Sequence, residues 1–250
     1  MSRFLNTITR SLSTNGHKST PLTLAFDMYG TVFDVSGLRA MLQSVSSIGK
    51  EKEPHLNSLW RSKQLEYTFR RATMNQYLPM SCCTRDALDY SCNVFKAQVS
   101  ESEKDALCSA YRSLPCFPDC RQGLSLLKNE GHRIFAFSNG TRDDICSLLS
   151  KSELQELFDG VVVVDDMEKP TFKPDPRVYE YFLNETEACL EQTWLISSNS
   201  FDIIGAGECG WNTMWMHRDP KTVFDTWSDG HKPTGVAKSM NEISDMLRNV

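Results

Sequence analysis

The 250-residue chain predicts an α/β fold: a doubly wound parallel sheet with an α-helical cap inserted after the first strand. Three observations predict it. In the second half of the chain, short and nearly continuous apolar runs alternate with helical segments. One further run of that kind, TLAFD, stands alone near the start. The stretch between them, 36–115, contains no strand-like run and reads as helical throughout.

The elements follow in order. Residues 1–20, MSRFLNTITRSLSTNGHKST, carry Arg3, Arg10 and Lys18, no acid, many Ser and Thr, and apolar Phe4, Leu5, Ile8 and Leu12 at helical spacing. That character fits a flexible tail or a mitochondrial transit peptide. Residues 21–35 open the core domain: TLAFD is a buried strand ending in Asp27, and Gly30-Thr31 marks a turn. In HLNSLWRSKQLEYTFRRATMNQY, Leu56, Leu59, Trp60, Tyr67 and Met74 share one helical face and Arg61, Leu65 and Phe69 another. A helix with two apolar faces packs on both sides, so the cap is expected to close over the crevice with Arg61 pointing inward. The core resumes at 116–250 with strands RIFAFSN, VVVVDD, TWLISSN and NTMWMH, which with TLAFD make five. Helical segments DCRQGLSLLKNEG, DDICSLLSKSEL, DPRVYEYFLNETEA, FDIIGAGECG and SMNEISDMLRNV separate or follow them.

A net charge of −5 without a Lys/Arg run argues against nucleic acid as a partner, and no apolar run is long enough for a membrane span. The nine cysteines form no zinc pattern and no CxxC pair; they are expected to be reduced, mostly buried thiols of an intracellular protein, cytoplasmic unless the tail directs it to mitochondria. The aromatic-rich cap, with Trp211 and Trp215 near the last strand, leaves room for a homodimer, although tryptophans of this kind are more often core residues.

In a doubly wound sheet, ligands bind beyond the carboxyl ends of the strands. There the sequence places Asp27, then Ser138-Asn139-Gly140, then Ser197-Ser198-Asn199 with Asp202, and, after the third strand, Lys173-Pro174-Asp175. Each alone could be a cap or a turn residue. Four polar terminations converging on one edge make a candidate site.

The segments FDMYGTVFDV, LWRSKQLEYTFRRATMNQY, SNGT, FKPDPRVYE and SSNSFD, in that order and spacing, resemble the haloacid dehalogenase (HAD) superfamily, and within it the L-2-haloacid dehalogenase (type II) branch. The resemblance runs from about Leu24 to near the C-terminus and implies a HAD-like, Rossmann-like core with a helical cap. Phosphatases of the superfamily carry a second aspartate two residues after the nucleophile and bind Mg²⁺ with a D-x4-D pattern. Here those positions are Tyr29 and Ser197-x4-Asp202. A hard dication wants several anionic oxygens, and a phenol of pKa about 10 is a poor leaving-group acid. A halide needs neither proton nor metal to leave, so the pattern implies metal-independent, cofactor-free hydrolysis of short (S)-2-halo acids to (R)-2-hydroxy acids.

In that reading Asp27 is the ionised nucleophile, Lys173 orients it and keeps it charged, and Arg61 receives the halide. Ser138 and Asn139, with backbone N–H groups near Tyr29, match the substrate-carboxylate cradle. Thr31, Tyr179, Ser197 and Asn199 match further polar catalytic positions, and Asp202 matches an acid assigned to the hydrolytic water or to holding Lys173. Tyr29, Leu65, Met80 and Phe201 match the apolar substrate pocket. Met80 and Phe201 replace bulkier aromatics of the bacterial enzymes, and Ser62 stands where glutamine is common, so the pocket wall departs from the pattern while the catalytic set is complete. The competing readings are the same ester chemistry on another small metabolite, a Mg²⁺-dependent phosphatase, and a non-catalytic binding protein.

Overall fold

The computed structural model describes residues 21–226, 228 and 232–248; the N-terminal segment 1–20, read above as tail or transit peptide, lies outside them. β1 (Thr23–Phe26) is an apolar run with every residue buried, and it becomes a central strand because both its edges are paired. β2 (Arg133–Ser138) lies on one side of it and β4 (Thr193–Ser197) on the other, with Phe26 opposite Ala136 and Ile196. β3 (Gly160–Val163) extends the sheet beyond β2; β5 (Asn212–Met216) and β6 (Gly235–Ala237) extend it beyond β4. All pairs are parallel, in the order β3-β2-β1-β4-β5-β6. The fold class is the predicted one, with one strand more: Gly235–Ala237 has no apolar run, and it pairs because β5 offers it an open edge.

Between β1 and β2 the chain is helical: α1 (Arg39–Ser44), α2 (Gly49–Met74), α3 (Met80–Phe95), α4 (Glu101–Ala110) and then α5 (Cys120–Asn129). α6 (Arg142–Lys151), α7 (Pro176–Thr186), α8 (Ser200–Glu208) and α9 (Met240–Leu247) complete the alternation. α5 packs against α9 and α7 against α8, and β1 and β4 are buried along their whole length, so both sheet faces are covered. α4 starts at a capping box in which Ser100 and Glu103 satisfy each other's backbone.

α2 and α3 pair along their length, and the buried stripe of α2 differs from the apolar faces read from sequence. It runs Leu56, Trp60, Gln64, Thr68, a spacing of four that includes two polar side chains. Met74, expected on a packed face, is exposed, and Leu59, Leu65 and Tyr67 are only half-buried. The helix ends at Asn75, whose left-handed φ of 53° an asparagine tolerates well. Beyond it, Tyr77 anchors the helical layer to the sheet by donating to Asp165 at 2.7 Å and packing on Phe172.

Trp211 and Trp215 are buried, Trp211 among Phe137, Tyr179 and Phe182, so they offer no surface to a partner. The nine cysteines are free, but only Cys83, Cys92 and Cys120 are fully buried; Cys146 and Cys189 are exposed, because both lie on solvent-facing sides of surface segments. No helix among the described residues is long and apolar enough to cross a membrane.

Candidate active site

β1, in the middle of the sheet, hands Asp27 to the crevice, and its backbone N–H still donates to Ile196 at 3.0 Å, so the residue is held by the ladder itself. The next residues fold into a turn closed by the Met28 carbonyl, which accepts from Val32 and Phe33, and Gly30 adopts φ of 89° there. A side chain at Gly30 would be strained by that φ and would come within 3.1 Å of the Ser198 hydroxyl. The turn brings Thr31 back onto the carboxylate.

Asp27 is almost completely buried, and its two oxygens are treated differently. Oδ2 accepts from Thr31 Oγ1 at 2.9 Å and from Asn199 Nδ2 at 2.8 Å. Oδ1 faces the Lys173 ammonium at 3.6 Å. Lys173 is itself sealed in: Nζ donates to the Phe137 carbonyl at 2.8 Å and to Asp202 Oδ2 at 2.9 Å, over the Phe137 ring at 4.0 Å. Asp202 has its other oxygen occupied by Tyr179, at 2.9 Å. Gly205, on α8, permits this packing, since a Cβ there would lie 2.7 Å from the Tyr179 hydroxyl and 2.5 Å from Pro174.

Burial pushes the Asp27 carboxyl above the usual aspartate range; Lys173 pulls it down, Asp202 pushes it up, and Thr31 and Arg61 pull it down, with the net direction upward. Sequence reasoning expected Lys173 to keep Asp27 charged. That pull is present, but desolvation outweighs it. Burial likewise raises the Tyr29 and Tyr179 phenols, so both stay protonated near neutral pH.

The other predicted residues are distributed around this cluster. Asn139 accepts from the Lys173 backbone N–H at 2.8 Å through Oδ1; Ser138 Oγ accepts from Gly140 N at 3.0 Å, and Ser197 Oγ from Asn199 N at 3.1 Å. These three shape the strand-end loops. Arg61, on α2, is half-buried; its charge reaches Asp27, Tyr29 and Tyr111, and its Nη1 donates to Gln64 at 2.6 Å.

A cavity of about 250 Å³ opens beside Tyr29 and Gly140, lined on the helical side by Met80, Gln64, Thr84 and Tyr111, with Arg112 and Asp144 paired at its edge. Leu65 and Phe201, predicted for the same pocket, are not among its lining residues: Leu65 is half-buried on α2, and Phe201 packs edge-on against Phe69 by a separate groove with Pro174. Leu65 follows Gln64 directly and so lies about 100° around α2 from the buried stripe.

The sequence marks Ser198 only as part of the Ser197-Ser198-Asn199 strand end, without a role of its own; Gln64, Thr84 and Tyr111 are the residues here that it does not point to. Ser198 donates its N–H to Thr31 Oγ1 at 2.8 Å, and its carbonyl accepts from Trp215. Tyr111 carries an edge-to-face aromatic series from Trp60 to Tyr29. The polar end of β4 points to Ser198; polar residues inside helices carry no comparable signal.

The donor set fits a resident Mg²⁺ poorly. Lys173 lies against both Asp27 and Asp202, and Ser197 stands where a third carboxylate would be needed. Among the described residues no group of three His, Cys, Asp or Glu side chains is arranged to hold a metal.

The family model of haloacid dehalogenase-like hydrolases matches residues 24–216. An (S)-2-haloacid dehalogenase of Pseudomonas sp. (strain YL) is 35% identical over 226 residues, 90% of this chain and 93% of that protein. The (S)-2-haloacid dehalogenase 4A of Burkholderia cepacia is 33% identical over 193 residues, 77% and 81% of the two chains. The solved structure of L-2-haloacid dehalogenase from Xanthobacter autotrophicus with covalently bound chloropropionic acid superposes with a TM-score of 0.83 at 25% identity, covering 92% of this chain and 100% of that one.

Proposed function

The chain belongs to the haloacid dehalogenase-like hydrolases, in their L-2-haloacid dehalogenase branch, and from that premise we propose that it hydrolyses short (S)-2-halo acids to (R)-2-hydroxy acids through an ester on Asp27. The observation that carries this reading is the asymmetry of the Asp27 carboxylate. Both hydrogen bonds go to Oδ2, while Oδ1 has only the lysine at 3.6 Å. Oδ1 is therefore the attacking oxygen. It forms a bond to C2 from the side opposite the halogen, the carbon–halogen pair leaves with the halide, and the configuration inverts.

Oδ2 then becomes the carbonyl oxygen of the ester. Water adds at Cγ, and the charge that develops on Oδ2 falls where Thr31 and Asn199 already donate, an oxyanion site in place before the reaction begins. Collapse breaks the Cγ–Oδ1 bond and releases the hydroxy acid and a proton. With both its oxygens engaged, Asp202 serves to hold Lys173, the second of the two roles the resemblance allowed. Arg61, delivered by residues 36–115 acting as a cap, takes the halide. Ser138 and Asn139 frame the substrate carboxylate, and Tyr29 and Met80 bound its side chain. The ester route requires no cofactor.

Polar Gln64, Thr84 and Arg112 in the cavity wall favour a second reading, in which the same ester chemistry acts on an electrophile with a longer, polar tail. A homodimer would use the exposed Met74, Leu78, Tyr90 and Val94 rather than the buried tryptophans, and sedimentation of wild type against Leu78→Glu tests it.

The decisive assay is halide release with chiral product analysis on L- and D-2-chloropropionate, with EDTA and with Mg²⁺, using Asp27→Asn as control. Release from the L-acid alone, giving D-lactate in EDTA and vanishing in the variant, is expected. Absence of release on both acids sinks the halo-acid reading, and phosphate-ester turnover with Mg²⁺ in its place would establish the phosphatase.

A further inference from the structure

The contacts of Arg61 carry one inference beyond the reaction itself. Trp60, Gln64 and Thr84 are buried between α2 and α3, and their hydrogen bonds form a directed series. The Thr84 hydroxyl has one proton, and it goes to the Met80 carbonyl at 2.9 Å. Its oxygen can then only accept, and it accepts from Gln64 Nε2 at 2.5 Å. With the amide nitrogen committed there, Gln64 Oε1 faces the other way and accepts from Arg61 Nη1 at 2.6 Å. Trp60 Nε1, donating to the Thr84 carbonyl at 2.8 Å, fixes α3 against α2 at the same level.

We propose that Gln64, aimed by Thr84, is the positioning residue for Arg61. A reversed amide would set an NH₂ against the guanidinium, two donors face to face, so the direction of the series is what holds the cation in place. An arginine otherwise has several rotamers of similar energy. Gln64 does not touch the reacting atoms; it acts through Arg61. The inference rests on the reading of Arg61 as halide acceptor.

The test uses bromide as probe, in the full-length protein. Wild type, Gln64→Leu, Thr84→Val and Thr84→Ser are compared by bromide product inhibition and by bromide occupancy at Arg61 in crystals, read from anomalous scattering. Gln64→Leu and Thr84→Val should each weaken bromide about tenfold or more and displace the guanidinium, the loss expected when one hydrogen bond to a charged group goes. kcat should fall more than KM rises, because halide charge develops only as the carbon–halogen bond breaks. Thr84→Ser keeps both lone pairs and the proton and should stay within about threefold of wild type.

Unchanged bromide affinity and an unmoved Arg61 in Gln64→Leu overturn the proposal. Equal losses in Thr84→Ser and Thr84→Val also overturn it, since packing rather than direction would then matter. If Gln64→Leu fails to fold, Thr84→Val, which keeps the side-chain shape, decides. If wild type releases no halide, the halo-acid reading fails on its own, while bromide occupancy and the position of Arg61 still decide this one.

Discussion

Two cations act on the same carboxylate, Lys173 in contact with it at the strand ends and Arg61 through its charge from the helical layer, and they are held in opposite ways. Lys173 is 1% exposed and is gripped by the Phe137 carbonyl, Asp202 and the Phe137 ring, with Asp27 close by. Arg61 is half-buried and reaches its place through one side-chain bond to Gln64. In the proposed reaction, the strand ends supply a fixed charge, that of Lys173, beside a carboxylate that stays put throughout the cycle. In the same proposed reaction, the helical layer supplies an adjustable charge, that of Arg61, for a halide that must leave.

Asp27→Asn is the strongest way to sharpen this contrast. It should abolish turnover by about four orders of magnitude or more, as loss of a nucleophile does. It should also leave the protein as stable as wild type or more stable at pH 7. Because the folded pKa of Asp27 is raised, the native state binds its proton more tightly than the unfolded chain, so wild-type stability falls as pH rises from the unfolded value through the folded one. The advantage of the variant is therefore present at neutral pH and gone below the ordinary aspartate range, a difference that thermal melts across pH display. For the same reason the acid limb of kcat/KM should lie above about 3.9.

Lys173→Met should cost about 3–5 kcal/mol of stability by leaving two buried carboxylates uncompensated, and should move that acid limb further up. If instead it melts like wild type and only Arg61 variants shift the limb, the roles of the two cations are reversed. Tyr179→Phe removes one partner of Asp202 and should cost about 1–3 kcal/mol in denaturant titration, with a smaller effect on rate. Arg112→Ala, at the cavity edge, breaks a partly exposed pair with Asp144 and should change stability by less than about 1 kcal/mol.

The same contrast explains what could be read in advance. Strands β1 to β5 announced themselves as apolar runs ending in polar residues, and Asp27, Asn199, Lys173 and Asp202 do meet at one edge. Strand β6 did not, because Gly-Val-Ala is too short and too weakly apolar to stand out. The helical layer was legible as helix but not as a site. Gln64 and Thr68 sit on its buried stripe because Thr84 and the Leu65 carbonyl satisfy them, and partners of that kind are distant in sequence or invisible to a hydrophobic pattern. Counting apolar residues alone therefore put Met74 inside and left Gln64 out.

The enclosure of Lys173 also makes it a timekeeper. An amine with no route to solvent cannot react with acylating reagents while the strand ends stay together. Surface lysines such as Lys50 will be labelled at once, and Lys173 only when this side of the molecule opens. Its labelling rate, followed by mass spectrometry, then counts openings of the region around Asp27, and a ligand that closes the crevice should slow the count.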